Sequence, residues 1–320
     1  MPLSRERPPV TARRPLILVT DAWHPQVNGV VHTWSYVQRE LDQLGHSLHV
    51  IHPAGSRGVR VPGEPDLLLS TEPARHLKRV LGARTPAALH IATEGPLGWA
   101  ARAMARAAGW PFTTSYHTRF PEYLNARFGF PAALTYSILR RFHRESQAIL
   151  VPTEAMRNEL QRAGFDRTRV WGRGVDSLRF APGPRDALDL PRPILLYAGR
   201  VAPEKNLEAF AALDLPGSRV VVGDGPELAR LRARYPSVHW LVMLEAMACG
   251  CPVAAYPVTG PIDVVTPGVS GVLDDDLRRA CLQALQLPRT EVRTAVIKRS
   301  WAEIARDLLS VLVPIEAAGP

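Results

Sequence analysis

The sequence predicts two doubly wound α/β domains in succession. Short apolar runs alternate with helical patterns, the arrangement that builds a parallel sheet covered on both faces. The alternation halts at residues 181–193, rich in Pro, Gly and Asp, and then restarts. A chain of 320 residues is long enough for two such domains, each with its own core.

The elements follow in order. Leu16–Thr20 is an apolar run between Pro15 and Asp21 and reads as a buried parallel strand. A loop with Pro25, Asn28 and Gly29 leads into a helix whose apolar side carries Val30, Val31, Trp34, Val37 and Leu41, stopped at Gly45. Ser47–Ile51 is a second strand, and residues 55–67, rich in Gly and Pro, read as a loop. Ala88–Ala92 and Phe112–Tyr116 are strands flanking the Ala-rich helix Trp99–Ala108, which Gly109 ends. A helix covers 131–146. Strand Ala148–Val151 precedes a helix that Thr153 caps and that ends near Gly164. After the linker come strand Ile194–Ala198, helix Leu207–Ala212, strand Arg219–Val222 and helix Glu227–Arg234. Ser237–Trp240 reads as a strand, Leu241–Ala248 as a helix ended by Gly250, and Pro252–Ala255 as a strand. Leu277–Leu285 and Trp301–Leu312 are helical.

Hydrophobic residues at 46% and charged residues at 22% describe a globular chain, and disorder is excluded. The net charge of +9 suits anionic partners: sugar nucleotides, acidic membrane surfaces or nucleic acid. It suits a solvated basic surface equally well. Cys249, Cys251 and Cys281 show neither zinc-knuckle nor C-x-x-C spacing and read as reduced packing residues of a cytosolic protein. The apolar run Leu16–Val19 is too short for a signal-peptide core, and no stretch is long enough to span a membrane. No zinc finger or RNP pattern supports a nucleic-acid reader.

Ligands of doubly wound sheets bind at the carboxyl ends of the strands. Four features lie at such places. Asn28-Gly29-Val30 opens the first helix, where a glycine lets a phosphate or sugar approach the backbone, though N-G also marks an ordinary turn. His117 ends the fourth strand, where an imidazole titrating near neutral pH can contact a hydroxyl or a phosphate oxygen, against the alternative of a hydrogen-bonded surface histidine. Arg200 follows a strand and Lys205 lies at a helix start, so the two cations read as a diphosphate clamp, against the alternative of two solvated side chains. Glu245 lies in an otherwise apolar helix, Leu241–Gly250, where a carboxylate can hold a ribose diol or face water at the helix edge. The histidines show no metal-ligand spacing, and Asp274–Asp276 reads as the acidic start of a helix.

Taken together, several stretches resemble the family-4 retaining glycosyltransferases, and within them bacterial GDP-mannose-dependent α-mannosyltransferases. They are Asp21–Val30, His90–Pro96, Thr113–Tyr123, Arg173–Asp176 with Phe180, Tyr197–Asn206, Val222–Pro226 and Leu244–Gly250, in the family's order. The resemblance implies the GT-B fold, two Rossmann-like domains facing a cleft. An acceptor-side domain would cover residues 1–182 and a donor-binding domain 183–300, with helix 301–320 packing back on the first. It implies Gly29 against the donor phosphates, His117 in contact with the transferred sugar, Arg200 and Lys205 on the diphosphate, and Glu245 on the ribose. No cofactor or metal is implied, since cations carry the electrostatic work.

The resemblance breaks between Trp240 and Leu241. Similar enzymes place a loop, a helix, a strand and a Gly-rich loop there, a segment of roughly thirty residues. The acid that the family's E-x7-E motif pairs with Glu245 is Ser237 here. The second domain is therefore expected to be incomplete, with exposed sheet edges, reduced stability and weak or absent catalysis. The reading that results is a hexosyltransferase using GDP-mannose and a lipid or glycan acceptor, cytoplasmic and peripheral to the anionic inner face of the membrane. A UDP-sugar-dependent diacylglycerol glycosyltransferase and a non-catalytic nucleotide- or glycan-binding relative stand as alternatives.

Overall fold

A computed structural model describes residues 14–316 except 27, 62–63, 83, 118–120, 122–128, 184–188, 200, 242–246, 259–260 and 298–299. The chain forms two compact units, Met1–Gly174 with Trp301–Pro320, and Val175–Ser300.

The first unit runs β1 (Leu16–Val19), α1 (Gly29–Gln43), β2 (Leu48–Ile51), β3 (Gly58–Val61), β4 (Glu64–Ser70), α2 (Pro73–Leu81), β5 (Ala88–Ile91), α3 (Pro96–Ala108), β6 (Thr113–Ser115), α4 (Ala132–His143), β7 (Ile149–Val151), α5 (Glu154–Arg162) and β8 (Thr168–Val170). Six strands form one parallel sheet in the order β2-β1-β5-β6-β7-β8. Every residue of β1, β5, β6 and β7 is buried, as a sheet covered on both faces requires. Alternate residues of β1 serve opposite faces. Leu16 and Leu18 join Trp34, Val37 and Leu41 of α1, while Ile17 and Val19 join Leu77 of α2 and Leu97 and Ala101 of α3. Residues 55–67, expected as a loop, contain β3 and the start of β4, an antiparallel hairpin. The period-two alternation that would announce it is masked by Gly and Pro.

The C-terminal helix, Trp301–Val311, belongs to this first unit. Its apolar side, Trp301, Ile304 and Leu308, is buried with α1. Trp301 stacks on Tyr36 at 4.9 Å and 9°, and Trp171 donates its indole N–H to the Ile304 carbonyl at 3.0 Å. Each such side chain contributes about 1.5–3 kcal/mol by leaving water. Gly174 makes the approach possible, since a Cβ there would lie 2.7 Å from the Trp301 backbone nitrogen.

The second unit runs β9 (Ile194–Ala198), a 3₁₀ turn (Pro203–Lys205), α6 (Leu207–Ala211), β10 (Ser218–Val222), α7 (Leu228–Arg234), β11 (His239–Leu241), a 3₁₀ turn (Met247–Cys249), β12 (Val253–Ala255), α8 (Pro261–Val264), β13 (Gly271–Leu273), α9 (Leu277–Ala284) and α10 (Arg289–Ile297). It begins at Val175, earlier than the expected residue 183. Arg293 of α10 donates to the Phe180 and Ser177 carbonyls and so ties this stretch to the second unit.

The parallel strands fall into two sheets, β11-β10-β9 and β12-β13. A complete unit of this kind has its strands in the order 3-2-1-4-5-6. Here 3-2-1 and a following pair are present, and among the described residues no ladder joins them. In sequence the break falls between β11 and β12. Its consequence shows in β9, where Leu196 is 45% exposed, whereas every residue of β1, the corresponding first strand, is buried. One detail of the sequence reading is corrected. Leu241 lies in β11, paired with Val222, and not in a helix; residues 242–246 of the expected helix lie outside the described residues, and Met247–Cys249 is a 3₁₀ turn.

Candidate functional site

The carboxyl ends of the first unit's strands gather several polar side chains. Asp21, just past β1, is buried. Its carboxylate accepts from the Leu97 N–H at 2.9 Å, the Gly98 N–H at 3.4 Å and the Thr93 hydroxyl at 2.8 Å. Burial raises its pKa, against these hydrogen bonds, which lower it. Asp21 thus holds the start of α3. Glu94 lies 3.3 Å from His143 Nε2, and His143 Nδ1 lies 2.9 Å from the Thr114 hydroxyl. Both carboxylates at this edge are engaged by the protein.

His90, on β5, is buried with its two ring nitrogens 2.8 Å from the Thr113 and Ser115 hydroxyls, and burial holds its pKa well below the ordinary value. Trp34 of α1 packs over it at 4.8 Å and lies 5.1 Å from Trp171. The Trp34 indole N–H donates to His117 Nε2 at 3.2 Å. Indole nitrogen only donates, so Nε2 must carry a lone pair. His117 is therefore neutral, with its proton on Nδ1. Burial, with the Arg173 charge second, lowers its pKa to about 3. The expectation that His117 titrates near neutral pH is thereby corrected: its own hydrogen bond and surroundings exclude the charged form.

Arg173, beyond β8, was given no role from sequence. Its guanidinium lies flat against Gly29 at the start of α1, where a Cβ would meet Nη2 at 2.6 Å and Nη1 at 2.9 Å. The helix itself is capped by the Asn28 side chain, which accepts from the Val30 and Val31 N–H groups at 3.0 Å. Gly29 and His117, expected as site residues, thus both lie beside Arg173 within one unit. The signal for Arg173 was its place in the quoted Arg173–Asp176 stretch.

In the second unit Lys205 is exposed on its 3₁₀ turn. The helix that follows, α6, has five residues, so little macrodipole supports the expected clamp. Arg200 and Glu245 lie outside the described residues. The loops after β9 and β10 are interlocked by glycines. Gly223 and Gly225 hold φ of 152° and 157°, and Cβ atoms there would strike the Gly199 and Val201 carbonyl oxygens at 1.7 and 2.2 Å. Asp276 caps α9 by accepting from the Arg279 N–H, and Asp274 pairs with the Arg279 guanidinium. Among the described residues no three His, Cys, Asp or Glu side chains converge as metal ligands, and no helix is long and apolar enough to cross a membrane.

Comparison with known proteins bears on this arrangement. Residues 27–179 match Glycosyltransferase Family 4. The chain is 28% identical to a GDP-mannose-dependent alpha-mannosyltransferase of Mycobacterium tuberculosis, covering 91% of this chain and 94% of that protein. It is 27% identical to the protein of the same name from Mycolicibacterium smegmatis, covering 91% and 95%. The first alignment runs over 357 positions against 320 residues here, so at least 37 positions have no counterpart in this chain. In structure it is similar to a sucrose-phosphate synthase from Thermosynechococcus elongatus, with TM-score 0.74 at 17% identity over 93% of this chain and 98% of that one. That likeness shows the fold, GT-B. By sequence, residues 27–179 match the family-4 glycosyltransferases, and the likeness to the two mannosyltransferases extends over 91% of the chain.

Proposed function

We propose that this chain transfers a mannosyl group from GDP-mannose to a lipid or glycan acceptor with retention of configuration. The observation that carries the reading is the likeness, over most of both chains, to two proteins that bear that donor in their names. The site chemistry is compatible with it. Departure of a nucleoside diphosphate develops negative charge, which fixed cations stabilise without a metal. Arg200 and Lys205 take that role, Gly29 lies against the donor phosphates and Glu245 holds the ribose. His117, neutral with Nδ1–H as donor, holds a sugar hydroxyl and transfers no proton at neutral pH.

Peripheral attachment of a cytoplasmic protein to an anionic membrane completes the reading. Its support is α4, which leaves Leu134 and Ile138 51% and 45% exposed on one side, with Arg141 and Arg144 exposed in the following turn. The divided sheet of the second unit favours a second reading, in which the chain retains ligand binding and has lost turnover.

The test is calorimetric titration of the purified chain with GDP, UDP, GDP-mannose and UDP-glucose, with Arg200→Ala as control, followed by turnover of whichever donor binds. Selective binding of GDP and GDP-mannose, lost in the control, with mannosyl transfer, is the expected result. Binding without transfer selects the non-catalytic reading. A folded chain that binds none of the four overturns both.

A further inference from the structure

Arg173 is a solvent-exposed cation that no carboxylate among the described residues neutralises. It lies at the start of α1, the positive end of that helix's dipole, and the first turn of α1 contains no acidic residue. Among the described residues its guanidinium has neither a hydrogen-bond partner nor an ion pair. Asp21 and Glu94, at the same sheet edge, are committed elsewhere, Asp21 to Leu97, Gly98 and Thr93, and Glu94 to His143. The neighbouring imidazole offers no relief. His117 has its lone pair on Nε2 turned to the Trp34 N–H, so its remaining nitrogen is a second donor, also without a partner among the described residues. Alanine is favoured over glycine in a helix by up to about 1 kcal/mol, yet position 29 has no side chain, and it is there that the guanidinium lies. Arg173 thus offers its donors to solvent beside the start of α1, with no protein acceptor among the described residues.

We propose that Arg173 is a substrate-binding residue that receives a phosphate oxygen, with His117 Nδ1–H as a second donor to the same ligand. The planar guanidinium offers two parallel N–H groups to an oxyanion, and phosphate matches that fork. The shared chemistry is a phosphate, which either the donor's diphosphate or a phosphorylated acceptor supplies. The identity of the ligand rests on the reading of the chain as a sugar-nucleotide transferase; the site itself does not.

The experiment uses the full chain and two readouts. Calorimetry measures binding of inorganic pyrophosphate, GDP-mannose and glycerol 3-phosphate. Proton NMR follows the His117 imidazole, assigned by its loss in His117→Asn. Three variants are compared: Arg173→Ala, Arg173→Lys, and Gly29→Ala, which pushes the guanidinium aside without removing its charge. Arg232→Ala controls for net charge. The expected result is that Arg173→Ala weakens pyrophosphate binding roughly tenfold or more, Gly29→Ala weakens it less, and Arg173→Lys retains part of the affinity. In Arg173→Ala the His117 titration also moves upward from its wild-type position, as loss of a nearby cation requires. The titration shift reports only that the guanidinium lies near His117; loss of pyrophosphate binding with an unchanged urea midpoint is what separates ligand contact from a structural role.

The proposal is overturned if wild type fails to bind any of the three probes at about 10 mM, or if Arg173→Ala binds them as wild type does. Arg173-dependent binding of pyrophosphate by a chain that ignores GDP-mannose supports the site and removes the mannosyl reading. GDP-mannose binding that is equal in wild type and Arg173→Ala does the reverse. Arg173-dependent preference for glycerol 3-phosphate supports the site and assigns the phosphate to the acceptor.

Discussion

A buried indole and an imidazole fix each other's chemistry in this protein. Trp34 can only donate, and His117 must therefore accept. Protonating His117 costs that hydrogen bond and sets a charge beside Arg173. In the unfolded chain the same imidazole takes its proton near pH 6.5. Its folded pKa lies lower, at about 3, so the unfolded state binds the extra proton between these values and stability falls as pH falls. His90, also held well below its ordinary value, acts in the same direction. We expect urea midpoints to drop from pH 7.5 to pH 5, with His117 responsible for up to about 2 kcal/mol. In His117→Asn that share of the pH dependence should vanish; an unchanged slope would refute the assignment. Residue by residue, the site was only partly legible in the sequence. Gly29 and His117 stood out because strand ends announce themselves by apolar runs. Arg173 did not, since its meaning comes from a contact across more than a hundred positions, which no local pattern encodes.

At the scale of elements, what the sequence revealed follows the physics of burial. β1 was read from an unbroken apolar run because both its faces are covered, and α1 from an apolar side that the structure buries. The hairpin β3–β4 escaped because it lies outside the main sheet and has no such run. The C-terminal helix was legible as a helix, but its partners, Tyr36 and Trp171, were not. Truncating its anchor, Trp301→Ala, should cost about 3–5 kcal/mol in chemical denaturation, as other large-to-small core changes do. Helix α4 makes the opposite case. Leu134 and Ile138 are exposed, so Leu134→Glu with Ile138→Glu should leave the denaturation midpoint within about 0.5 kcal/mol of wild type. If α4 is the membrane-facing element, the same pair abolishes co-sedimentation with phosphatidylglycerol vesicles; unaltered sedimentation would exclude it.

For the whole molecule, the contrast between the two units is instructive. One closes a six-stranded sheet with helices on both faces, and the other divides five strands between two sheets. The sequence showed this discontinuity as a strand meeting a donor-site motif with no connector, and Ser237 in place of an acid. The exact path there was not legible, because β11 extends one residue further than the motif suggested. We expect denaturation in two steps, with the second unit melting first, because it leaves its first strand, β9, partly exposed. A single coincident transition by fluorescence and circular dichroism would contradict this. Inserting a helix-and-strand segment after Leu241 should merge the steps and tighten GDP binding, measured by calorimetry.

The uncovered side of β9 also leaves a signature in time. Along a parallel strand, successive residues direct their amide groups alternately to the left and right neighbours. β1 has β2 on one side and β5 on the other, so all its amides are held. β9 has β10 on one side, and among the described residues no ladder on the other. Deuterium uptake across Leu16–Val19 should therefore be uniformly slow. Across Ile194–Ala198 it should beat with a period of two, every second amide exchanging early, as though the strand still marked the place of its absent neighbour.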